Sequence, residues 1–99
     1  MNTTDTIYRV WKDTGDVIAL FPAEPGTHDP YTCQSYMHVG QHGAADPYGV
    51  MRATRKATEA EYADLDRELR TIGYMPRVVL RMGRHYLAVR CRALLALYS

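Results

Sequence analysis

The last third of this 99-residue chain has no acidic side chain. All 11 Asp and Glu lie in residues 1–68, beside 6 basic groups, while residues 69–99 carry six arginines: Arg70, Arg77, Arg81, Arg84, Arg90 and Arg92. The formal charge of +1 therefore hides a net of −5 followed by a net of +6. A near-zero total excludes a uniformly basic nucleic-acid binder, but the split leaves a local basic surface open. Long apolar runs are missing too. The most apolar stretch, Tyr86 to Tyr98, is interrupted by Arg90 and Arg92. It is also shorter than the roughly 20 residues a bilayer crossing needs, so no membrane role is expected. The opening Met-Asn-Thr-Thr-Asp has neither a basic region nor an apolar segment, which argues against a secretory or transit signal.

Cysteine is scarce. Cys33 and Cys91 are too few for a disulfide-dense scaffold, and reduced thiols in a cytoplasmic setting are expected, with one disulfide as the alternative. Nucleotide and metalloprotease signatures are absent: there is no G-x-x-x-x-G-K-[ST], no G-x-G-x-x-G and no H-E-x-x-H. What remains is ordinary in bulk. With 46% hydrophobic and 23% charged residues, the chain reads as one globular domain, residues 1–99.

The local patterns predict an α+β domain: a mostly antiparallel sheet of three to five strands, one capped helix on a face, and a short C-terminal helix or strand. Thr6–Lys12 is rich in β-branched and aromatic residues, and Val17–Phe21 is apolar on both faces, as an interior strand is. Asp13-Thr14-Gly15-Asp16 between them supplies turn chemistry, and Pro22 is expected to end the second strand. Ser35–Val39 and Tyr48–Ala53 are expected strands joined by a turn region over Gly40–Asp46. Thr58-Glu59-Ala60-Glu61 matches a capping box, and Tyr62, Leu65, Leu69 and Ile72 then recur on one face, predicting a helix over Thr58–Ile72 stopped at Gly73. Arg77–Met82 reads as a further strand. Leu87, Cys91, Leu94, Leu95 and Tyr98 have helical spacing, which the Ala- and Leu-rich end favours over a strand beginning at Leu87.

Val17-Ile18-Ala19-Leu20-Phe21-Pro22, then Cys33 through Gly43, then Ala57-Thr58, Glu61-Tyr62, Leu65, Glu68-Leu69 and Gly73-Tyr74 form a combination that resembles small uncharacterised proteins carried by bacteria, phages and plasmids. The resemblance covers residues 7–80 and implies a compact accessory protein, with no known activity and no site residue to carry over.

The residues themselves offer three kinds of site. The arginines Arg77, Arg81, Arg84, Arg90 and Arg92 would bind phosphates, or an acidic protein surface, if folding brings them together. Alternatively they are neutralised within the domain. Eight tyrosines stand against one Phe and one Trp, and Tyr36 and Tyr48 are candidate interface anchors, whereas Tyr8, Tyr62 and Tyr74 read as half-buried core edges. Cys33, His38 and His42 form a C-x₄-H-x₃-H spacing, a weak metal candidate, and Cys33 beside a histidine is a weak nucleophile candidate. The expectation is a binding protein with no cofactor and no enzymatic activity, acting by protein contact or self-association. Nucleic-acid binding through the arginine-rich third and a Cys/His metal domain are the alternatives.

Overall fold

The computed structural model describes residues 3–38 and 40–98, the side chain of Tyr98 excepted. The first hairpin joins β1 (Thr4–Trp11) to β2 (Val17–Pro25) with Ile7 opposite Leu20 and Val10 opposite Val17. Gly15 takes a φ of 78° in the turn, a conformation that glycine adopts without steric cost. Strand β3 (Cys33–Met37) pairs with β2, and β4 (Gln41–Ala45) pairs with β3, both antiparallel. On the other side of β1, β5 (Thr54–Lys56) pairs antiparallel with Arg9–Trp11, and β6 (Pro76–Val78) pairs parallel with Thr4–Thr6. The sheet order is β4-β3-β2-β1-β5, with β6 beside β1. The α+β architecture expected from the sequence is what forms.

Period-2 alternation divides the apolar side chains between the two faces of the sheet. Tyr8, Val10, Ala19, Phe21 and Tyr36 point to one face, where helix α2 (Glu59–Thr71) covers them with Leu65 and Leu69. Ile7, Ile18, Leu20 and Cys33 point to the other, against Val50 of helix α1 (Pro47–Ala53) and against Val79 and Met82. Helix α3 (His85–Tyr98) then lies along β2. The inference that β2 is interior, drawn from its unbroken apolar run, matches these two cores.

Four expectations are corrected. Pro22 does not end β2, which runs on to Pro25; the pairing with β3 shifts register between Phe21 and Pro25, and a proline without an amide proton is accommodated at such an irregularity. Tyr48–Ala53 is helix, not strand, because Pro47 at the first helical position after Asp46 starts a helix and outweighs the strand preference of Tyr48 and Val50. The region Gly40–Asp46 is largely strand β4, since pairing with β3 supplies what its Gly and Ala lack in intrinsic propensity. The strand expected over Arg77–Met82 shrinks to Pro76–Val78, after which Val79 and Met82 turn into the second core. Val39 lies outside the described residues. Helix α2 has the expected capping box, with Thr58 and Glu61 bonding reciprocally, and ends at Gly73 with φ 111°.

Candidate contact surface at the C-terminal end

Folding separates the candidate arginines by role. Arg90 is 1% exposed, and its Nε and Nη1 donate to the carbonyl oxygens of Pro30 and Pro22, each at 2.7 Å. Those bonds hold α3 to the end of β2, so Arg90 is removed from any surface patch. Arg77 donates from Nε to Asp5 Oδ1 at 2.7 Å. The other oxygen of Asp5 accepts from Tyr86 Oη at 2.8 Å. Asp5 therefore ties β1 to both β6 and α3. The Arg77 bond holds the Asp5 carboxyl below its ordinary range, and burial followed by the Asp5 bond pushes the Tyr86 phenol up to about 12. Arg81, Arg84 and Arg92 remain exposed. They flank α3, two before its first turn and one in its middle.

The far end of α3 gives this region its character. Leu95 is 70% exposed and Leu97 74%. Leu97 shares the helix side of Ala93 and Arg90 that faces the body, yet it is open. Pro25, Gly26, Thr27 and His28 on one side and Ala93, Leu94 and Leu97 on the other line a mainly apolar notch of about 600 Å³. An exposed Leu97 at the rim of an apolar notch, with Arg92 exposed on the same helix, has the make-up of a protein contact: apolar area with charge nearby.

The remaining candidates fall elsewhere. Tyr36 is buried against α2, its hydroxyl donating to Glu68 Oε2 and accepting from the Gly40 amide at 2.8 Å, so it is a core residue and not an interface anchor. The Glu68 bond and burial raise its pKa. Tyr48 is 44% exposed on α1. Cys33 is fully buried in the second core, where desolvation pushes its thiol up to about 11, the opposite of what a nucleophile or metal ligand needs. His42 packs edge-on against Tyr36, on the face of the sheet opposite Cys33, and bonds the Tyr74 hydroxyl at 3.2 Å. His38 pairs with Glu68. Among the described residues no three His, Cys, Asp or Glu side chains converge to hold a metal.

Two features were not legible in the sequence. One is the Asp5 junction, which links residues 72 and 81 positions apart. The other is a cleft of about 490 Å³ between the β1–β2 turn and α2, rimmed by Asp16, Glu61, Asp64 and His38. Glu61 and Asp64 are already engaged there by Arg55 and Arg67. Among the described residues, no helix is long and apolar enough to cross a membrane. Comparisons with protein-family models, curated proteins and solved structures found no match.

Proposed function

We propose that this chain is a small non-enzymatic binding protein, an accessory factor of a mobile element or phage, that acts by protein–protein contact. Its contact surface is the last turns of α3. The observation that carries the reading is the exposure of Leu97 at an apolar notch, with Leu95 exposed on the other side of the same helix end, in a segment bearing Arg81, Arg84 and Arg92 and no acidic side chain. Apolar area of this kind is costly to leave in water and gains when a partner covers it. The exposed arginines complement an acidic partner and speed the encounter.

The test compares the wild-type chain with Leu97→Glu. Purified wild-type protein recovers a partner that can be remade from purified components, and Leu97→Glu weakens that complex about tenfold or more, as loss of an interface anchor does. Fluorescence anisotropy against short DNA and RNA at about 50 mM salt distinguishes the alternative, since phosphate contacts would give steeply salt-dependent binding. Binding of that kind, unchanged by Leu97→Glu, would replace the protein-contact reading.

A further inference from the structure

The side of α3 that faces away from the sheet carries a pattern of its own. Tyr86 and Arg90, four residues apart, face the body and are buried. Arg84, Ala88, Cys91 and Leu95 follow one another at spacings of four, three and four, which places them on a single stripe about half a turn away. Arg84 and Ala88 are exposed, Cys91 is half-buried, and Leu95 is 70% exposed. Leu87 and Leu94 border the stripe, both half-buried. A helix apolar on two sides belongs between two layers, and β2 supplies only one.

We infer that the second layer is α3 of another copy of this chain, packed antiparallel about a twofold axis at Cys91. Two observations favour a second copy. The stripe is self-complementary in spacing: with Cys91 on the axis, Leu95 of each copy falls against the partner's Leu87 and Ala88, and the alanine leaves room for close approach. The charges at the helix ends are also complementary. α3 has no acidic residue in its first turn and no basic residue in its last, while Arg81, Arg84 and His85 crowd its N-terminal end. The Asp5 carboxylate, bonded to Tyr86 in the first turn, meets the N-terminal end, but the last turn holds no basic residue to meet the carbonyl end. Antiparallel pairing brings Arg84 of one copy to the carbonyl end of the other, twice by symmetry. The last turn of α3 has no basic residue of its own to take that place.

A 14-residue helix is about 21 Å long, so the pair forms a small interface of the weak, reversible class. The inference deepens the contact-protein reading by naming one occupant of α3, and its test uses Leu95 and Cys91, which lie on the outer stripe. Sedimentation of the reduced full chain from about 10 to 500 µM shows a shift from the 11.3 kDa monomer to twice that mass. Leu95→Glu raises the dissociation constant about tenfold or more with an unchanged circular-dichroism spectrum, as expected for an exposed side chain. Diamide, which takes up the two protons and two electrons of a thiol pair, links the native dimer through Cys91, and Cys91→Ser abolishes the link; Cys33 is buried and silent. A chain that stays monomeric at about 500 µM overturns the inference, and so does a dimer indifferent to Leu95→Glu that does not cross-link through Cys91. A monomer that still binds a foreign protein through Leu97 overturns the inference and leaves the contact-protein reading standing.

Discussion

A guanidinium removed from water is costly unless its donors are met, and Arg90 meets two carbonyl oxygens instead of a carboxylate. Pro22 and Pro30 cannot donate through their nitrogens, but their carbonyls accept as any do, so a strand proline and a loop proline together become the seat of an arginine. Arg90→Met keeps much of the volume and leaves both carbonyls without this donor. It is expected to cost about 3 kcal/mol, read as a lower midpoint in urea unfolding with little change in slope. The two cysteines differ in the same local way. Under native conditions a disulfide-exchange reagent titrates one thiol promptly, Cys91, and the buried Cys33 reacts only on unfolding. Prompt reaction of both would show that the core opens around Cys33. Neither environment could be read from composition, because Arg90 and Cys33 look like any surface arginine and any thiol until other elements close around them: Pro22 and Pro30 around Arg90, and Ile7, Ile18, Leu20 and Val50 around Cys33.

At the scale of single elements, how much could be read depended on how local the determining physics is. Helix α2 was legible from four residues, since a capping box acts within one turn. Strands β1 and β2 were legible from β-branched content and a turn glycine. Strand β4 was not, because Gln-His-Gly-Ala-Ala becomes a strand only when β3 pairs with it. α1 looks like a strand from Tyr48 and Val50, and its decisive signal is the Asp46-Pro47 pair before them, which starts a helix. The capping box also makes a pH prediction. Bonds from Arg55 and then from the Thr58 amide hold the Glu61 carboxyl down at about 2, against an ordinary 4.5. A depressed carboxyl stabilises the fold fully above its unfolded value and loses that contribution as pH falls through its folded one. The stabilisation from Glu61 is thus present above about pH 4.5 and disappears toward pH 2. Glu61→Gln should lower the thermal midpoint at pH 7 and have little effect at pH 2. An equal effect at both would place the role of Glu61 in packing. Thr58→Ala removes the other half of the box and is expected to cost about 1 kcal/mol.

Across the whole molecule, charge is distributed by where the elements end. The β1–β2 turn and the N-terminal half of α2 bring Asp16, Glu61 and Asp64 to one cleft. Arg81, Arg84 and Arg92 belong to the segment that crosses to α3. The sign change along the sequence is thus partly cancelled by pairing: Glu61 and Asp64 are met by Arg55 and Arg67, and of the six arginines of residues 69–99, Arg70, Arg77 and Arg90 are taken up by Asp66, Asp5 and backbone carbonyls. That division was not legible in the sequence, because the partners are far off in the chain.

The same geometry makes residues 76–98 a layer joined to β1 by the parallel pairing of β6 and by Asp5, to β2 by Arg90, and to the second core by Val79 and Met82. Asp5 and Tyr86 bias this joint in opposite directions of pH. The Asp5 contribution is present above its ordinary 3.8 and is lost as acid protonates it; the Tyr86 contribution is present below pH 10 and is lost as pH rises toward 12. Between these limits the layer stays docked. Asp5→Asn removes the charge while keeping the shape, so it weakens the pair with Arg77 without opening a cavity. Its effect should be confined to the joint. Hydrogen exchange at pH 7 is expected to accelerate in α3 and β6 and to remain slow in β2, β3 and α2, whose cores do not involve Asp5. Uniform acceleration across the sheet would mean that the layer and the body unfold as one unit. In that case α3 could not release its contacts, whether to β2 or to a partner, without unfolding the protein that presents it.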